Sequence, residues 1–163
     1  MALWYPRFRS IREHPAMTTA AQVLGAKGDP GVFTTTPTAS VFEAVSEMAR
    51  RNVGALVVMD GEAVVGIISE RDYARKIALL SRSSRDTEVQ EIMSSPVMYV
   101  RPMQTVEECM ALMTDKRLRH LPVMDANGEL RGVISIGDLV KQVIADQRYH
   151  IEQLEQYISG QPA

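Results

Sequence analysis

The chain has one cysteine, Cys109, among 163 residues, so it forms no internal disulfide. That thiol falls among apolar residues at helical spacing and is expected to be buried. A chain that does without disulfides suits a reducing compartment, and the cytoplasm is the expected location. Histidine is almost as scarce. His14, His120 and His150 stand far apart and make no metal-ligand cluster. An excess of one charge is also missing: 18 Lys and Arg face 20 Asp and Glu, a net charge of −2. Nothing there attracts a phosphate backbone broadly, which argues against nucleic acid as a partner. No apolar run approaches the roughly 20 residues that span a bilayer, so no membrane partner is expected. The sequence contains neither a GK[ST] phosphate loop nor a paired nucleophile and base, and an enzyme is not expected.

What remains is ordinary for a globular protein, with 45% hydrophobic and 23% charged residues. The first residues combine Arg7, Arg9 and Arg12 with Trp4, Tyr5 and Phe8. Their arginines suit a transit peptide, but Glu13 and the shortage of serine favour a loose or partner-docking tail.

The informative feature is a repeat. Residues 36–72 align with residues 101–138. An offset of 65 matches Pro37 with Pro102, Ser40 with Thr105, Met48 with Met113 and Asp60 with Asp125. One extra residue raises the offset to 66, which then matches Gly66 with Gly132, Ser69 with Ser135 and Asp72 with Asp138. Each copy opens a helix with a capping box, Ser40 with Glu43 and Thr105 with Glu108. The stripes Val41, Ala44, Val45, Met48 and Val106, Cys109, Met110, Met113 follow i, i+3, i+4, i+7, so each helix buries one face. Two short apolar runs then flank Asp60-Gly61 in one copy and Asn127-Gly128 in the other, which predicts strands joined by tight turns. A second helix is expected over 72–80 and over 138–144. The methionines, among them Met48, Met59, Met110, Met113 and Met124, read as core.

The predicted organisation is a tail (1–18), repeat 1 (19–80), a polar linker (81–86), repeat 2 (87–146) and a C-terminal helical extension (147–163). Short lead-in helices precede the copies, at Thr19–Ala26 and after Thr87, whose spacing from Gln90 suggests a helix carrying Val89, Ile92 and Met93. A copy of about 60 residues is marginal alone, so the two are expected to bury their sheets against each other. The fold class is therefore α/β (α+β), with two βαββα-like repeats.

The segments GIISERD (66–72) and GVISIGD (132–138) each run from strand to helix start. Backbone N–H groups and the helix dipole converge there and favour a phosphate. Ser69 or Ser135 can add a hydroxyl, and Asp72 or Asp138 can accept the hydroxyls of a ribose. The same spacing is also that of a plain helix-capping pair.

These twin heptads in a whole-domain repeat resemble the cystathionine-β-synthase (CBS) domain pair, or Bateman module, over roughly residues 19–146. The resemblance implies pseudo-twofold symmetry and two clefts between the repeats. The first would combine Ser135 and Asp138 with Thr36, Val53, Gly54 and Ala55, with Arg119 and His120 reaching toward phosphates. The second would combine Ser69, Arg71 and Asp72 with Arg101, Leu118, Arg119 and His120. The implied ligand is an adenine nucleotide: AMP first, then NAD, ADP or ATP, with S-adenosylmethionine next. The implied role is regulatory, acting on a partner or through oligomer change. A homodimer is expected, and an apolar stripe at Ile144, Ile151, Leu154 and Ile158 agrees with it. The competing reading is a protein–protein interaction module with vestigial clefts.

Overall fold

The computed structural model describes residues 17–28 and 31–160. The expected tail lies outside the described residues apart from Met17 and Thr18. The chain divides into two units with mixed α/β structure and one small sheet each.

The first unit spans Gly31–Tyr99. Strand β1 (Thr34–Thr35) pairs in parallel with β2 (Ala55–Asp60), which pairs antiparallel with β3 (Ala63–Ser69). Between β1 and β2 runs helix α2 (Val41–Arg51), capped by Ser40 and Glu43 as expected. It ends at Asn52, whose left-handed conformation (φ 54°) stops the helix. The β2–β3 turn needs the positive φ of Gly61, 58°. After β3, helix α3 (Glu70–Tyr73) starts two residues earlier than the expected 72 and widens at once into a π-helical turn, Ala74–Ala78. Met48 of α2, Leu56 and Val58 of β2, Ile68 of β3 and Ile77 are buried in one cluster.

The second unit joins residues 17–28 to residues 100–160. It contains α1 (Ala20–Ala26), α5 (Val106–Lys116), β4 (His120–Met124), β5 (Leu130–Ser135) and α6 (Ile136–Ser159). It repeats the details of the first unit. Helix α5 ends on left-handed Arg117 (φ 54°). The β2–β3 ladder shifts register between Val58 and Met59, and the β4–β5 ladder between Val123 and Met124. The stripe residues Val106, Cys109 and Met113 are buried, and burial pushes the Cys109 thiol pKa up to about 12. The expected helix over 138–144 and the extension from 147 are one continuous helix of 24 residues, because nothing between them breaks helical geometry.

The lead-in helices do not sit with the copies they precede. Linear boundaries at 19–80 and 87–146 place Thr19–Ala26 with the first copy, yet α1 belongs to the second unit. The second lead-in, α4 (Val89–Ile92), belongs to the first. Backbone hydrogen bonds fix both. In the second unit the Ala20 and Ala21 amides donate to the Gln104 and Pro102 carbonyls (2.8 and 2.9 Å), and Val106 N–H donates to Thr18 O (2.9 Å). In the first, the Val89 and Gln90 amides donate to the Ala39 and Pro37 carbonyls (2.9 Å each), and Val41 N–H donates to Thr87 O (2.9 Å). Each lead-in is thereby tied to the start of the unit's main helix.

The heptad glycines make room for these lead-ins. A Cβ on Gly132 would lie 2.8 Å from Leu24 Cδ2, and one on Gly66 would overlap Met93 Sδ. A larger side chain at either position must push a lead-in side chain off the sheet. Gly132→Val is expected to destabilise the protein by about 1–3 kcal/mol, the usual effect of overpacking. Adding Leu24→Ala should recover part of that loss. Urea unfolding of both variants checks this, and a Gly132→Val as stable as wild type would contradict it.

Candidate functional site

Each heptad forms a strand-to-helix junction closed by reciprocal hydrogen bonds. In the second unit the Asp138 amide donates to Ser135 Oγ (3.2 Å), and the Ser135 amide donates to Asp138 Oδ2 (2.7 Å). In the first, Asp72 N–H donates to Ser69 Oγ (3.3 Å), while the Ser69 amide and hydroxyl both donate to Asp72 Oδ2 (2.9 Å each). The serine and aspartate are thus capping boxes as well as candidate ligand groups, and removing such a cap costs about 1 kcal/mol. All four side chains are half-buried, so they stay reachable at the junction.

The corner between main helix and central strand packs beside the heptad of its own unit. Glu70 N–H donates to Gly54 O (3.0 Å), and Ala55 pairs with Ser69 across the ladder. Likewise Ile136 N–H donates to Arg119 O (2.8 Å), and His120 pairs with Ser135. The first unit therefore brings Val53, Gly54 and Ala55 together with Ser69, Arg71 and Asp72, with exposed Thr36 just beyond β1. The second brings Leu118, Arg119 and His120 together with Ser135 and Asp138. Arg101 also lies in the second unit, where its guanidinium donates to the carbonyls of Met124 and Asp125. It straps the end of the β4–β5 hairpin.

Sequence reasoning missed two residues, Lys27 and Lys76. Lys27 follows α1 and reaches Asp138 Oδ2 at 2.8 Å across 111 residues of sequence. The same ammonium donates to Val133 O (3.0 Å). In the first unit Lys76 pairs with Asp72 Oδ1 (3.0 Å) and donates to Ile92 O (2.6 Å). Lys76 was detectable, since i, i+4 spacing from Asp72 places the two on one helix face. No local signal announces Lys27, because only the crossed lead-in brings it near Asp138. The carboxylates also differ. Asp72 uses both oxygens within its unit. The bonds to Asp138 from the Lys27 ammonium and the Ser135 amide both fall on Oδ2.

Burial raises the Asp138 pKa, but the hydrogen bonds from Lys27 and from the Ser135 amide outweigh it, and the net shift is downward. A carboxylate held below its unfolded value of about 3.9 stabilises the fold above that pH, and the contribution fades as pH falls through the folded pKa. Asp138 is therefore expected to titrate below the ordinary aspartate range. In Lys27→Met its titration should move upward and its share of acid sensitivity should shrink. Carboxyl-carbon NMR titration measures both shifts, and an unchanged Asp138 titration in the variant would contradict the assignment.

Among the described residues, no group of three His, Cys, Asp or Glu side chains could hold a metal, and no helix is long and apolar enough to cross a membrane. Comparison with known proteins matches the CBS domain model to residues 29–79 and 89–145. A crystal structure of a candidate signal-transduction protein with CBS domains from Burkholderia ambifaria MC40-6 is 55% identical. It superposes with a TM-score of 0.76 over 80% of this chain and 96% of that one. The CBS-domain protein ATU1752 of Agrobacterium tumefaciens is 35% identical, with a TM-score of 0.70 over 76% and 97% of the two chains. The mitochondrial CBS domain-containing protein CBSX3 of Arabidopsis thaliana is 41% identical over 151 residues, covering 88% of this chain and 73% of that protein. CBS pairs are typically non-catalytic regulatory modules, and CBS domains generally bind adenosine ligands. With two matched copies joined by a short linker and a heptad closing each sheet, the chain belongs to the CBS domain family as a tandem CBS pair.

Proposed function

We propose that this chain is a ligand-sensing regulatory module whose heptads hold an adenine nucleotide, with the ribose hydroxyls on Asp138 and, at a second site, on Asp72. AMP is the first candidate, followed by NAD, ADP or ATP and then S-adenosylmethionine. The base would lie against the corner residues, Thr36, Val53, Gly54 and Ala55 or Arg101, Leu118, Arg119 and His120. Arg71, Arg119 and His120 would serve the phosphates. The observation that carries this reading is Asp138. Its carboxylate is held below the ordinary aspartate range and anchored by the Ser135 amide at the start of a 24-residue helix, and among the described residues its bonds from that amide and from Lys27 both fall on Oδ2. Asp72 is the weaker candidate, because Lys76 already takes its second oxygen. The cytoplasm is the proposed location.

Asp138→Asn keeps an oxygen for the Ser135 amide and removes the charge. It is expected to weaken AMP binding by one to two orders of magnitude, the worth of a charge-assisted hydrogen bond of roughly 1.5–3 kcal/mol. Asp72→Asn should leave that site mostly intact. Calorimetry on both variants, with apo unfolding as the control for the cap, provides the test. Unchanged affinity in both and in the double variant would reduce the heptads to helix caps. In wild type, AMP at 100 times its dissociation constant should add about 2.7 kcal/mol of apparent stability.

The second reading, an interaction module with vestigial clefts, draws on the distal half of α6. Ile151, Leu154 and Ile158 lie on α6 at 54%, 61% and 82% exposure. Their spacing with Ile144 suits a helix of a second copy, and we propose a homodimer that uses this stripe. Replacing Ile151 and Leu154 with glutamate should move the sedimenting species toward the 18.1 kDa monomer. A wild-type chain that is monomeric at micromolar concentration would overturn the dimer.

A further inference from the structure

Both heptad aspartates are held by a lysine that also donates to a backbone carbonyl, and the two lysines come from unrelated places. Lys76 stands four residues after Asp72, and its counterpart in the second copy is Gln142. Lys27 follows the first lead-in, and the residue in the matching place after the second lead-in is Pro96. The repeat therefore did not copy a lysine from one unit to the other. Each unit supplies its own, by a different route, to the same carboxylate. An incidental surface ion pair, worth about 0–1 kcal/mol, gives no reason for that recurrence.

At Asp138 the chemistry of a vicinal diol gives one. A carboxylate only accepts hydrogen bonds, whereas each hydroxyl of a diol both donates and accepts. Asp138 alone can take the hydroxyl protons but leaves the hydroxyl oxygens unserved. An ammonium has three protons. Lys27 spends one on Asp138 Oδ2 (2.8 Å) and one on Val133 O (3.0 Å), which fixes the nitrogen and leaves the third to give. Asp138 Oδ1 and that third proton then offer an acceptor beside a donor. Both side chains are partly exposed, at 32% for Lys27 and 17% for Asp138, so a ligand can reach them. They line an open groove of about 480 Å³ between α1 and α6 together with Val23, Ala26, Lys141, Gln142 and Ala145.

We propose that Lys27 is a ligand-contacting, specificity-determining residue: with Asp138 it forms a mixed donor–acceptor clamp for the cis-diol of a ribose. This deepens the reading of Asp138 as the ribose-binding carboxylate and rests on it. Lys27 donates to a hydroxyl oxygen while Asp138 accepts that diol's proton, so the site selects ribose over deoxyribose. The lead-in helix thereby becomes part of the ligand site of the second unit.

The test compares AMP with 2′-deoxy-AMP by calorimetry on the full chain, in wild type, Lys27→Met, Lys27→Gln and Asp138→Asn. Wild type should prefer AMP. Lys27→Met should lose about ten-fold in AMP affinity, as expected for one charge-assisted hydrogen bond, and most of the preference for ribose. Lys27→Gln keeps an N–H donor and should retain part of that preference, which also covers the case that the methionine variant does not fold. Tighter AMP binding in Lys27→Met would make Lys27 a competitor of the ligand and overturn the proposal. Equal losses for both nucleotides in both Lys27 variants would make it a structural tie only and overturn it too. If Asp138→Asn weakens binding while the Lys27 variants do not, the clamp fails and the ribose reading stands. If Asp138→Asn also has no effect, both fall together.

Discussion

The reciprocal bond between a serine and the aspartate three residues on sets the geometry from which each unit is built. It turns the last residue of the sheet into the first of a helix, and it leaves a charged carboxylate at that junction. The neighbouring corner is fixed by the same residues, because Glu70 and Ile136 donate their amides to Gly54 and Arg119. Capping, strand pairing and candidate ligand contacts thus converge on a few atoms. A change at Asp72 or Asp138 consequently acts on the cap as well as on the proposed ligand contact, and the apo protein is the necessary reference for either.

The crossed lead-ins couple each copy to the segment that introduces the other. Helices α1 and α4 are short, and in water a helix of one or two turns does not persist by itself. Their order comes from backbone bonds to Pro102 and Gln104 or to Pro37 and Ala39, and from apolar contact over a glycine of the sheet. Val23 and Ile92, in matching positions, are both buried. The heptad glycine is therefore a packing residue for the lead-in rather than a turn residue.

The units differ where the chemistry is richest. The first closes its aspartate with a lysine of the same helix, and that helix widens into a π turn over Ala74–Ala78. The second draws its lysine from the lead-in and continues its helix for 24 residues. One repeated pattern thus carries two candidate sites, and they differ in the lysine that each carboxylate meets. The continuing helix adds an exposed apolar stripe that the first unit has no equivalent of among the described residues.

The repeat, both capping boxes, the buried stripes of α2 and α5, the hairpins and the Ser–Asp heptads were all legible in the sequence. Each is written in residues close along the chain: helical periodicity, a cap three residues from its partner, a glycine in a tight turn. The reciprocal Ser–Asp spacing of the heptads was legible for the same reason. Which unit each lead-in joins was not, because α1 and α4 have similar short apolar patterns and only docking decides which sheet receives them. Lys27 was illegible on the same account, since its partner stands 111 residues away and a lone lysine after a helix has no local mark. The early start of α3 and the merging of α6 were set by hydrogen bonds at Ser69 and by unbroken helical geometry after Ser135. Local physics determined the elements and the candidate ligand groups, and tertiary packing decided which lysine each carboxylate meets.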